Sequence, residues 1–217
     1  MNYDNAVIIL VVACLAGAAV SVIGEWRGWR AIRVISKLAA STAFVGLAIV
    51  NGAVESGYGQ LILIALCFSW IGDALLLSKR SSYLMGGVAA FFFAHAAFAA
   101  AFISQRLDIG FFLIAATIMC VFAVVMLRWL WPHLDPSYKA AVPIYVIAIT
   151  IMTSLAVGAS SPPMPPLLAI AAIIFTASDV SVARDRFVAS EIVNKAWGLP
   201  LYYIAQILFA MSVILYK

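Results

Sequence analysis

The chain reads as a succession of long apolar runs separated by short polar breaks. The runs cover 5–24, 33–52, 59–78, 83–105, 109–131, 138–159, 165–184 and 194–216. Each is close to the ~20 residues that an α-helix needs to cross the hydrocarbon of a bilayer. None shows the ten-residue alternation of a barrel strand, and an open strand would leave its backbone groups unpaired in lipid. The breaks are clearest at Arg27-Gly28-Trp29-Arg30, at Lys79-Arg80-Ser81-Ser82 and in the Ser/Pro-rich turn 160–166, where turn formers cluster. The pattern predicts an all-α polytopic membrane protein, a single transmembrane domain over 1–217 built as a bundle of eight helices. The first run, starting near Asn5, is longer than the core of a signal peptide and has no basic segment before it, so it reads as a span.

Composition agrees. Hydrophobic residues make up 66% of the 217 and charged residues 10%, where a soluble domain carries about 25% charged residues. Mean hydropathy is +1.11. The net charge of +4 comes with no basic run long enough to track a nucleic acid; the expected partners are membrane lipids. Arg27, Arg30, Arg33, Lys37, Lys79, Arg80, Arg128, Lys139, Arg184, Arg186 and Lys195 fall at the odd-numbered connections, and of the 13 basic residues only Arg106 and Lys217 fall on the opposite side. Positive residues collect on the cytoplasmic side. The expectation is a bacterial inner-membrane protein with odd loops in the cytoplasm and both termini outside. Cys14, Cys67 and Cys120 lie in apolar runs without metal or redox spacing and read as reduced packing residues.

Charged groups inside a bilayer cost at least ~2.5–3.5 kcal/mol each near a helix centre, so the few present are informative. Asp73 and Asp179 each lie five or six residues before the odd-loop end of their runs, hence ~8–9 Å deep. At equal depth on different helices they can line one cavity, or each can pair with a nearby arginine, Arg80 or Arg184. Ser69 precedes Asp73 by one turn and Ser178 is next to Asp179. This echo between the third and seventh runs leaves open two parallel four-helix halves. His95 lies near the middle of the fourth run, on one face with Gly87, Phe91 and Phe98. Lys37, one turn into the second run, can reach the interface, neutralise a carboxylate or hold a phosphate. Tyr145 shares a face with Met152, and Gln206 with Tyr202 or Tyr203. Trp26, Trp29, Trp129, Trp131 and Trp197 near the odd loops read as an interfacial belt.

Only two histidines are present, too few for the usual catalytic zinc set; no metal or cofactor is expected. A serine nucleophile lacks its GxSxG turn. Gly72-Asp73 resembles part of the GxGD motif of intramembrane aspartyl proteases, but Trp70 replaces its first glycine. What remains is a pair of membrane-embedded carboxylates, suited to proton transfer.

Taken in order, Ser69-x-x-Gly-Asp73, Gly87-x-x-x-Phe91-x-x-x-His95-x-x-Phe98, Tyr145 with Met152, Phe175-x-x-Ser-Asp179 with Phe187, and Tyr202-Tyr-x-x-Gln206 resemble the YhhN family of membrane proteins, which includes lysoplasmalogenases. Two departures stand out: Lys37 is followed by Leu38 where the family often has proline, and Phe98 stands where tyrosine is common. The resemblance implies cleavage of the vinyl-ether bond of a lysophospholipid substrate within the bilayer. Asp73 and Asp179 would be the catalytic acid and base, in an order left open. His95, Tyr145, Tyr202, Tyr203, Gln206, Ser69 and Ser178 would line the substrate site. Lys37 would meet the phosphate, and the tail would lie among Phe91 and Phe98. The alternative is a proton-coupled transporter, to which buried carboxylates and a mid-membrane histidine are also suited.

Overall fold

The structure, a computed structural model, describes residues 3–78 and 80–216. Lys79 and Lys217, both counted in the charge asymmetry, lie outside the described residues. The eight helices are α1 (Tyr3–Arg27), α2 (Arg30–Val50), α3 (Gly57–Leu76), α4 (Ser81–Ile103), α5 (Ile109–Leu130), α6 (Ala141–Ala159), α7 (Leu167–Ala183) and α8 (Ile192–Ser212). There is no strand among the described residues.

Local chemistry explains where the helices stop. α1 ends on Gly28 at φ +71°, with Trp29 N–H donating to Gly24 and Gly28 N–H to Glu25. α2 ends the same way at Gly52 (φ +83°), with Ala53 N–H bonded to Ala48 and Gly52 N–H to Ile49. Both are Schellman closures, which need a left-handed residue that glycine adopts without strain. The Ser56 and Asp108 side chains cap α3 and α5 by accepting from Gly59 and Phe111 N–H. α6 begins at Ala141 rather than at 138, because Pro132 and Pro136 break the backbone into two short 3₁₀ turns, Trp131–His133 and Pro136–Tyr138. α8 stops at Ser212, where Tyr58 Oη meets Ser212 Oγ at 2.7 Å.

Among the described residues seven helices are long and apolar enough to cross a membrane; α8 is not among them. It carries Asn194, Lys195 and Gln206, and it hides most of this polarity. Asn194, Tyr203 and Gln206 are buried as α8 packs on α7, α1, α2 and α3. The outer surface is aliphatic, with Ile8, Val12, Ile35, Ile114, Ile118 and Val125 all exposed, as lipid contact requires.

α1 with α2, α3 with α4, α5 with α6 and α7 with α8 pair as hairpins, and α4 also packs on α6. α4 and α5, although consecutive, do not pack closely along their lengths. The odd connections gather at one end of the bundle: Arg33 on α2 reaches Glu25 on α1 and the Leu77 carbonyl after α3, and Lys195 on α8 reaches Glu25. At the other end Tyr3 and Asn51, Asp108 and Gly158, and Tyr216 and Pro165 are bonded. One hydrophobic cluster joins α1–α4 with α6–α8, and a second joins α5 and the start of α6 to the turn after α7. A cavity lies between them.

Candidate active site

Asp73, in the last turn of α3, is 2% exposed. Its Oδ1 lies 3.1 Å from Lys37 Nζ, and its Oδ2 accepts from Ser41 Oγ and Tyr202 Oη, both at 2.7 Å. α2 and α8 supply all three partners. Next to Asp73, Gly72 leaves room for the Phe91 ring of α4: a methyl group there would lie 2.5 Å from it. Asp179, near the end of α7, has different partners. Its Oδ2 lies 3.0 Å from His95 Nε2 and 3.2 Å from Tyr145 Oη. Neither carboxylate therefore pairs with Arg80 or Arg184; Arg184 bonds to Glu191 and Asn194 instead.

Both carboxylates line one cavity of about 180 Å³ that opens at the odd-loop end. No hydrogen bond joins them among the described residues. Between their partner sets stands an aromatic wall, with Phe175 contacting both Tyr202 and His95. The cavity is mostly apolar and carries a group of charged side chains. The charged side chains in its lining come from α1, α2, α3, α7, α8 and the turn after α7: Glu25, Arg33, Lys37, Asp73, Asp179, Asp185, Arg186 and Lys195, among apolar residues of the same elements such as Leu76, Val180 and Leu199. α4, α5 and α6 add no charge: apart from Tyr145 they contribute apolar residues such as Leu84, Val88, Phe91, Phe122, Met126, Val142 and Ile149. Such a cavity accepts a molecule with one charged end and one hydrocarbon end. Among the described residues, no three His, Cys, Asp or Glu gather as a metal site.

The sequence profile of the YhhN family matches residues 32–213. The chain belongs to the YhhN family. The match takes in both carboxylates and every partner named above. Curated relatives include lysoplasmalogenase TMEM86A of Bos taurus, 29% identical over 159 residues, and lysoplasmalogenase of Mycobacterium tuberculosis, 29% identical over 148 residues. Lysoplasmalogenase TMEM86A of Homo sapiens is 28% identical over 170 residues. These alignments cover 70%, 62% and 70% of this chain, and the chain spans 65%, 55% and 65% of the respective relatives. No solved structure matches.

Within this YhhN chain the other expected site residues take separate places. Tyr203 Oη contacts Ser41 Oγ and the Lys37 carbonyl, behind Asp73 rather than in the cavity. Ser178 lines the cavity, but its hydroxyl donates to the Phe175 carbonyl. Ser69 and Gln206 are wholly buried outside the lining, and their side-chain polar atoms complete no hydrogen bond; the Gln206 amide neighbours the Tyr202 hydroxyl. Phe91 lines the cavity, whereas Phe98 lies in the core, 4.2 Å from the Phe209 ring centroid. The cysteines are free, but only Cys14 is buried; Cys67 and Cys120 are on the outer surface.

Sequence reasoning missed the mouth of the cavity: Ser21, Glu25, Arg33, Asp185, Arg186 and Lys195. The signal available was the company of acidic Glu25 and Asp185 with the basic odd connections, where loop bias alone would favour basic residues.

Proposed function

We propose that this chain hydrolyses the vinyl-ether bond of a lysoplasmalogen, releasing a fatty aldehyde and a glycerophospho-ethanolamine or -choline. The observation that carries the reading is the pair of carboxylates on the walls of one cavity whose mostly apolar lining also holds a group of charged side chains. Membership of the YhhN family and the relatives named lysoplasmalogenase support it.

The reaction needs a proton on the β-carbon of the vinyl ether, an anion near the resulting oxocarbenium ion, and a water to capture it. Asp179 touches His95 and Tyr145, two groups able to pass protons, and delivers the proton to carbon. Asp73, fixed by Lys37, Ser41 and Tyr202, faces the developing positive charge as a preorganised anion. Water adds to the oxocarbenium carbon and returns its proton to Asp179. The hemiacetal then collapses, its hydroxyl proton moving to the departing glycerol oxygen. The charge asymmetry of the connections supports an odd-loop mouth facing the cytoplasm of a bacterial inner membrane.

The test is aldehyde release from an alkenyl-lysophospholipid by the purified chain in lipid. Asp179→Asn is expected to lower the rate ~10²–10⁴-fold, the usual worth of a positioned acid–base group, with unchanged thermal unfolding. Wild-type protein that releases no aldehyde overturns the activity. Full activity in Asp179→Asn overturns its role. Solute flux in liposomes without product would instead support a proton-coupled carrier.

A further inference from the structure

Two arginines distant in sequence meet at the cavity mouth. Arg33 on α2 donates from NH2 to the Leu77 carbonyl at 3.3 Å, and Arg186 donates from NH2 to the Leu76 carbonyl at 2.8 Å. These are consecutive carbonyls at the end of α3, where the helix is electronegative. Arg186 gets there because the chain leaves α7 through a π-helical turn, Arg184–Val188, a distortion that often marks functional sites. Arg186 thus stands near enough to Arg33 to be repelled by it, although the carboxylates of Asp185 and Glu25 attract it more strongly.

Their charge is only partly answered. Arg33 has Glu25 at 2.6 Å, but Glu25 is shared with Lys195 at 2.7 Å. Arg186 has no ion pair among the described residues. Two further donors have no partner although buried: Arg33 Nε, and Ser21 Oγ, one turn before Glu25 on α1 and 1% exposed. All of these residues line the cavity. Adjacent guanidinium groups with spare donors and a hydroxyl are suited to a tetrahedral oxyanion. Lys37 is not free for that task, since it is committed to Asp73.

We propose that Arg33, Arg186 and Ser21 bind the phosphodiester of a single-chain glycerophospholipid, a reading that rests on the lysolipid assignment of the cavity. Leu77 follows Asp73 by four residues, about 6 Å along the helix. A three-carbon glycerol unit, with its ether oxygen at one end and its phosphate at the other, spans such a gap.

The experiment measures binding to the full-length protein in nanodiscs. The probes are an acyl lysophosphatidylethanolamine, which lacks the vinyl ether, the monoacylglycerol of the same chain, which lacks the phosphate, and inorganic phosphate alone. Wild type is expected to bind the lysophospholipid roughly tenfold or more tighter than the monoacylglycerol, the worth of one or two charge-assisted hydrogen bonds. Arg186→Gln, which breaks no ion pair, is expected to erase that margin while leaving monoacylglycerol binding unchanged; Arg33→Gln and Ser21→Ala should reduce it. An unchanged margin in Arg186→Gln overturns the proposal. Inorganic phosphate binding as tightly as the lysolipid overturns the lipid assignment. If the margin depends on arginine but no aldehyde is ever released, the hydrolase reading fails and the phosphate site stands. If aldehyde is released with no margin, the reverse holds.

Discussion

Lys37 and Asp73 meet at 3.1 Å with side-chain exposures of 11% and 3%, so each neutralises a charge that lipid would not tolerate alone. Breaking such a pair from one side costs more than removing both partners, because the survivor is left buried and uncompensated. Lys37→Met is therefore expected to destabilise the protein by about 3–5 kcal/mol, and Lys37→Met with Asp73→Asn to recover much of that loss. Thermal unfolding of the three variants in one detergent checks this; a double variant no better than Lys37→Met would show that the pair has no mutual dependence. The cost of charge in a membrane makes Asp73 and Asp179 legible as special from sequence alone. Which group answers each charge is another matter. Lys37 reads equally well as an interfacial lysine, a counter-ion or a phosphate ligand until the rotation of α2 about its axis is known, and no residue pattern sets that rotation to within one side chain. The same holds for Phe98, whose helical face is readable but whose depth relative to the cavity is not.

At the level of helices, the intervals were readable because apolar runs, glycine closures and proline breaks coincide in the sequence. Two things were not. The π-helical turn at 184–188 has no hydrophobic period to announce it, yet it turns Asp185 and Arg186 into the cavity. The fit of α7 against α8 is equally silent: it depends on Gly198, where a methyl group would overlap the Ser181 side chain and lie 2.6 Å from its Cβ. Gly198→Ala must push the two helices apart, and with them Asp179 on α7 and Tyr202 on α8. Overpacking of this kind costs about 1–3 kcal/mol. The double change Gly198→Ala with Ser181→Gly removes the overlapping atoms and should restore both unfolding temperature and activity. A loss of the same size in single and double variants would show that contact with the Ser181 side chain is not what makes Gly198 necessary.

Across the whole molecule, the asymmetry of charge between the two ends follows from counting residues. The distribution of charge around the cavity does not, since it emerges only when α4, α5 and α6 are seen to line it without a charged residue while the remaining elements bring all of them. That arrangement has a mechanical consequence. α5 packs on α6 but not closely on α4, and both α4 and α5 contribute apolar side chains to the cavity, Leu84 and Val88 from one, Phe122 and Met126 from the other. A hydrocarbon chain leaving the cavity by the seam between them would pass into the bilayer without meeting water. Val88→Trp adds bulk to the α4 part of the cavity lining, at a residue that bonds to neither carboxylate. A substrate whose long chain must occupy the seam should then show a raised KM with kcat nearly unchanged, the signature of lost binding common to ground and transition states. A short, water-soluble vinyl ether of the same head group should be turned over as by the wild type. The ratio of kcat/KM between the two substrates is the quantity to measure. Equal loss on both would mean that the chain does not lie between α4 and α5, and that the apolar wall serves packing alone.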